Sequence, residues 1–273
     1  METVEELLDR MSGQGIERTA LIPRMVEPIP VGRVAEGASA LLRSGLTGRW
    51  PGLARRFYNR TVTADGKFSL LGKTYGICAA PRNASVARVM EAHPDRFFGW
   101  VFVNPNAGDP LAELGKWVRQ PGWIGVKTHP FWHRYPTALL DDAAAYASEA
   151  GLPLLLHLGG DRERGDYRYL PERHPKLRIV YAHAGMPFYR ELWDYAKGKD
   201  HVFVDLSGAA FVDDRLRRGA IEALGPEKCI YGTDGPYGHV NDSWALEHIL
   251  QMSLSDADKE RILSGNFLEM INA

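Results

Sequence analysis

The chain has 273 residues, close to the usual size of one (β/α)8 barrel and enough to bury a sizeable core. It is 45% hydrophobic and 25% charged, an ordinary globular composition, and 33 Lys+Arg stand against 34 Asp+Glu. That balance offers no electrostatic footprint for nucleic acid or an anionic membrane, although a small anion needs only a local Arg or Lys.

The N-terminal stretch is acidic and amphipathic and has no apolar core like that of a signal peptide. No run approaches the roughly 18 apolar residues of a membrane span. A cytoplasmic protein is expected, with Cys78 and Cys229 as reduced, apolar thiols.

The first helix is predicted over 3–16, "TVEELLDRMSGQGI". Thr3 caps it with Glu6 three residues on, as in a capping box. Leu7, Leu8, Met11 and Ile16 form its apolar side, and Gly13 and Gly15 mark its end. The strand "RTALIP" follows. Residues 24–75 are long for a barrel connection and read as an insertion. Within them "VGRVAEGASALLRSG" and "PGLARRFYNR" look helical, and "TADGKFSLLGKTYG" looks like loop or hairpin. Long segments at the functional end often shape a pocket.

From there short apolar runs alternate with helical patterns, which argues for parallel strands with covering helices. Strands are predicted at about 19–23, 98–103, 123–128, 153–157, 178–182, 202–206 and 229–233. They are rich in Val, Ile and Leu without clean alternation, as in strands buried on both faces. A closed barrel of this kind has about eight strands and opens on one of them. The expected fold is therefore α/β, a (β/α)8 TIM-barrel-like domain over 1–273, with seven recognisable strands and the usual first strand absent.

In such a barrel the active site lies at the C-terminal ends of the strands. The polar residues there are Arg24, Asn104, Lys127, His129, His157, His183, Asp205, Ser207, Thr233 and Asp234. Singly, each has an ordinary structural role open to it: Asp234 in "GTDGP" suits a turn, and a histidine ending a strand can simply be hydrogen-bonded. Together, His129, His157, His183 and Asp234 at one barrel face point to a functional site. Imidazole and carboxylate can hold zinc or a similar divalent metal. Alternatively Asp234 serves as a general base, with His183 shuttling a proton or stabilising an oxyanion.

At these residues the chain resembles the amidohydrolase superfamily, in particular the amidohydrolase-2 branch of aminocarboxymuconate-semialdehyde decarboxylase, related aromatic-acid decarboxylases and several lactone hydrolases. The resemblance is carried by "HPDRFFGWVFVNP", "GVKTHP", "LPLLLHLGG", "KLRIVYAHAGMP", "HVFVDLSG", "IYGTDGPYG" and "RILSGNFLEMI", in that order. It implies His157 and Asp234 as metal ligands at the ends of the family's fifth and eighth strands, and His183 as a histidine that acts in catalysis or lies close to the metal. The catalytic set expected is Asp234, His183 and His157, with Asp234 activating water or assisting proton transfer and the two histidines polarising the reacting carbonyl, directly or through a metal. Lys127 would end the fourth strand without modification.

The family's first-strand His-x-His is absent, and the first histidine is His93. Three readings follow: a sequence that begins further upstream, a metal-free member, or a relative that binds without turnover. The cofactor expected is thus a divalent metal, with zinc foremost, or none.

For substrate, Arg24 is the best-placed carboxylate clamp, with Arg55, Arg56, Arg162, Arg164 and Arg190 as further candidates. Trp132, Tyr135, Tyr167, Tyr169, Tyr189 and Tyr237 could line a pocket for a planar acid. Lys127, His129, Tyr135 and Trp132 complete the expected substrate-binding set. The function expected is a hydrolase acting on a C–O or C–N bond such as a lactone, or a decarboxylase, working on a small cyclic or aromatic carboxylic acid. The alternatives are a catalytically inactive ligand-binding barrel and an Fe(II)-dependent oxygenase on the same fold. The sheet edges left by a missing strand make a homodimer one way to cover them.

Overall fold

The computed structural model describes residues 3–29, 33–208, 211–235 and 243–272. The chain opens with α1 (Val4–Gly13), whose Thr3–Glu6 capping box forms as the sequence predicts. Its Met11 is buried in the main core. Next come β1 (Thr19–Leu21), the helices α2 (Arg33–Thr47) and α3 (Pro51–Arg60), and the strands β2 (Lys67–Leu70) and β3 (Lys73–Gly76). The last two form an antiparallel hairpin apart from the main sheet. The insertion is thus a helical pair followed by a hairpin.

The remaining elements alternate: α4 (Asn83–Ala92), β4 (Phe97–Phe102), α5 (Pro110–Trp117), β5 (Trp123–Thr128), α6 (Pro130–His133) and α7 (Asp141–Glu149). Then come β6 (Leu154–Leu156), α8 (Tyr169–Arg173), β7 (Ile179–Tyr181), α9 (Tyr189–Ala196), β8 (Val202–Asp205), α10 (Asp214–Leu224) and β9 (Cys229–Ile230). Among the described residues the helices α11 (Ser243–Gln251), α12 (Asp256–Glu260) and α13 (Asn266–Ile271) follow.

Among the described residues the main sheet has seven strands in the order β1-β4-β5-β6-β7-β8-β9, and each neighbouring pair is parallel. It curls into a half-barrel. Strands β1 and β9 are its edges and do not pair with each other among the described residues. Several strands are shorter than expected. The runs predicted at 153–157 and 229–233 pair only over Leu154–Leu156 and Cys229–Ile230.

Each strand divides its apolar side chains between two cores, which is why the sequence shows no alternation. Val101, Leu154, Leu156, Ile179, Val202 and Val204 pack outward with the helices, against Leu114, Ala143, Leu192 and Leu216. Phe98, Trp100, Leu155, Val180 and Ile230 face the lumen, joined by Met270 of α13. Phe267 of the same helix sits 6.3 Å from the Phe98 ring.

One irregularity positions the site. Between β4 and β5, Gly99 opposes Trp123 but Trp100 opposes Gly125, so Ile124 is an extra residue in a β-bulge. In an unbroken strand Trp123, Gly125 and Lys127 would share a face. The bulge leaves Trp123 in the outer core and brings Lys127 to the cavity side. Gly125 is required beside it: a Cβ there would lie 2.4 Å from the Trp100 ring and 2.6 Å from the Pro153 carbonyl.

Candidate active site

The strand ends converge on a cavity of about 1710 Å³ that runs into the half-barrel lumen. Lys127, His129, His157, His183, Asp205, Ser207 and Asp234 line it, with Arg24 and Trp132 at its wall.

His157 follows β6 directly, and its amide still bonds to the Thr128 carbonyl at 3.2 Å. Its ring stacks on His129 with centroids 4.0 Å apart and meets His183 edge-on at 4.7 Å. His129 stacks in turn on Trp132 at 4.3 Å. Its Nδ1 accepts the Trp132 amide at 3.2 Å, so neutral His129 carries its proton on Nε2. Burial holds both His129 and His157 well below the usual imidazole range, and the neighbouring cationic groups add to this.

His183 lies in left-handed backbone, φ 54°, followed by Ala184 at φ 55°. Such a run of non-glycine residues is strained and needs support. Asp205 supplies it. Its Oδ1 accepts the His183 amide at 3.2 Å and the Ser207 amide at 2.8 Å, and Ser207 Oγ also donates to it. His183 Nδ1 lies 3.3 Å from the Ser207 carbonyl and 3.2 Å from Ser207 Oγ. A proton on Nδ1 leaves Nε2 facing Asp234, whose Oδ2 is 3.9 Å away. Gly208, at φ 79°, makes room for this ring, since a Cβ would come within 2.4 Å of His183 Nδ1. Asp234 is itself left-handed, φ 59°.

Lys127 is 3% exposed. Burial lowers its pKa to about 8, against the attraction of Asp205 and Asp234. The ammonium is therefore retained at neutral pH and is less firmly held than on a surface lysine.

Not every expected residue reaches the cavity. Tyr135 is fully buried away from the wall, with its hydroxyl accepting the His129 amide at 3.0 Å. Arg55 pairs with Glu191 at 2.7 Å, Arg164 pairs with Asp161 at 2.5 Å, and Arg190 bonds to the Thr47 carbonyl at 2.8 Å. Of the arginines singled out by sequence, Arg24 alone lines the cavity. Tyr237 lies outside the described residues.

Three aromatic residues were missed. Tyr58 of α3, inside the insertion, bonds through its hydroxyl to His157 Nε2 at 2.8 Å. Its ring stacks on Phe131 at 3.9 Å and meets Phe211 edge-on at 5.8 Å. Burial keeps the phenol protonated, its pKa raised well above the ordinary value. The length of the insertion was the one sequence signal pointing its way.

Among the described residues no group of three or more His, Cys, Asp or Glu is placed to hold a metal ion. A zinc-type centre takes about four ligands, three of them from protein even when a site is left open. Here His157 Nε2 is engaged by a phenol instead.

The family model described as Amidohydrolase matches residues 66–270. No curated protein matches the chain. Among solved structures, an uncharacterised TIM-barrel protein from Bordetella bronchiseptica aligns at TM-score 0.68 and 16% identity, over 99% of this chain and 83% of that one. A 2,6-dihydroxybenzoate decarboxylase from Rhizobium aligns at 0.61 and 16%, over 100% and 89%. A 5-carboxyvanillate decarboxylase from Novosphingobium aromaticivorans, complexed with manganese and 4-hydroxy-3-methoxy-5-nitrobenzoic acid, aligns at 0.64 and 17%, over 100% and 81%.

Proposed function

The chain belongs to the amidohydrolase family, and from that premise we propose that it is an enzyme that decarboxylates a small aromatic carboxylic acid. The observation that carries this reading is the convergence of Lys127, His183 and Asp234 on one cavity, with Arg24 at its wall. Structurally similar decarboxylases act on planar phenolic acids, and the aromatic wall of Tyr58, Phe131 and Trp132 suits a flat ring.

The chemistry needs an anion held in place and a proton delivered to carbon. Lys127 and Arg24 bind the carboxylate and fix the ring beside the histidines. A proton adds to the ring carbon that bears the carboxylate. The carbon–carbon bond then breaks, its electron pair restores the ring, and CO2 leaves. Asp234 hands this proton to the ring, having received it through His183 Nε2, 3.9 Å from its carboxyl oxygen.

Between zinc on His157 and Asp234 and chemistry without a resident metal, we take the second. The ground is His157 Nε2, which is already bonded to the Tyr58 hydroxyl at 2.8 Å. Hydrolysis of a lactone would use the same residues, with Asp234 as base on water.

The test is CO2 release from 2,6-dihydroxybenzoate and 5-carboxyvanillate, with lactones assayed in parallel. Turnover is expected on a phenolic acid, and Asp234→Asn should lower kcat by about 100-fold or more. Turnover left intact by Asp234→Asn, or confined to lactones, would overturn the assignment.

A further inference from the structure

Tyr58 comes from the insertion, far in sequence from every strand end of the main sheet, yet it makes the only side-chain hydrogen bond to His157 among the described residues. The contact is built. The phenol ring is 3% exposed and clamped between Phe131, stacked at 3.9 Å, and Phe211, edge-on at 5.8 Å. Its hydroxyl meets Nε2 at 2.8 Å, and no protein group bonds to Nδ1 of the same imidazole among the described residues.

From this geometry we infer that Tyr58 is a positioning residue that donates to His157 Nε2, closes that nitrogen to a divalent cation, and fixes the imidazole with its proton on Nδ1. A neutral imidazole has one donor and one acceptor nitrogen, so occupying Nε2 as acceptor sets the other as donor. His129 is set in the opposite sense, because its Nδ1 accepts the Trp132 amide. The two stacked rings thus carry N–H groups on opposite nitrogens. His157 becomes a hydrogen-bond donor toward bound acid rather than a ligand. The catalytic consequence rests on the decarboxylase reading above, whereas the tautomer and the closed nitrogen do not.

The test separates the two. Nitrogen-15 NMR of the full chain, with His157 assigned by comparison with His157→Gln, is expected to show the Nδ1–H tautomer across pH 6–8. Tyr58→Phe keeps the stacking ring and removes the hydroxyl, and should give mixed tautomers. Titration with MnCl2, followed by water-proton relaxation, should show weak binding to the unsubstituted chain and binding at least tenfold tighter to Tyr58→Phe. That gain should disappear in Tyr58→Phe/His157→Gln. An Nε2–H tautomer in the unsubstituted chain would overturn the inference. So would one tightly held Mn²⁺ that is lost in His157→Gln. Because neither readout needs turnover, failure to find a substrate leaves this result intact, and a wrong tautomer leaves the decarboxylase reading standing.

Discussion

Lys127 places a charge where water barely reaches it. The residue is 3% exposed and its pKa falls from an ordinary 10.5 to about 8, because burial outweighs Asp205 and Asp234. The sign of the pH effect follows. Between about pH 8 and 10.5 the unfolded chain holds this proton and the folded chain has released it, so stability rises with pH through that window. Below about 8 both states are charged and the full cost of burial is felt. Lys127→Met should therefore raise Tm at pH 7 by about 2–4 °C, equivalent to about 1 kcal/mol in a chain of this size. It should also abolish the rise in stability above pH 8 and weaken substrate binding. Scanning calorimetry across pH checks the first two effects, and an unchanged pH profile would show that the lysine is better paired than its surroundings indicate.

At the scale of the element, β5 shows how one extra residue aims a site. The run "WIGVKTHP" identifies a strand and puts Lys127 and His129 at its end. It does not announce that Ile124 is bulged, and by simple alternation Lys127 would share the face of Trp123, which is packed among the helices. Gly125 lets the Trp100 ring lie directly over the corrected strand. Gly125→Ala should cost about 1–3 kcal/mol, the usual penalty of overpacking, because its Cβ meets both the ring and the Pro153 carbonyl. A urea midpoint shifted downward with unchanged slope is the expected reading. No shift would mean that the bulge can relax around a methyl group.

Across the whole molecule the half-barrel's strands pair on both sides in the middle and on one side at its margins. Every residue of β5 is buried, while all three of β1 are only half-buried, and β9 pairs on one side. Amide hydrogen exchange should accordingly be slowest in β5, β6 and β7 and fastest in β1 and β9, since edge bonds open without global unfolding. Equal protection across all seven strands would show that something covers those edges in solution. No helix among the described residues is long and apolar enough to cross a membrane.

What the sequence determined by itself was local and periodic. The capping box at Thr3 and Glu6, the alternation of buried strands with covering helices, and the polar residues punctuating the strand ends follow from spacing and residue type alone. Those signals placed Lys127, His129, His157, His183 and Asp234 at one end of a parallel sheet. The tertiary structure decided which nitrogen of His183 and of His157 is bonded, because that depends on partners distant in the chain: Ser207 for His183 and Tyr58 for His157. It also decided that Tyr135 supports the His129 backbone from beneath the wall. A hydrogen bond spanning 99 residues leaves no periodic trace in either partner's segment, so only folding could bring Tyr58 to His157.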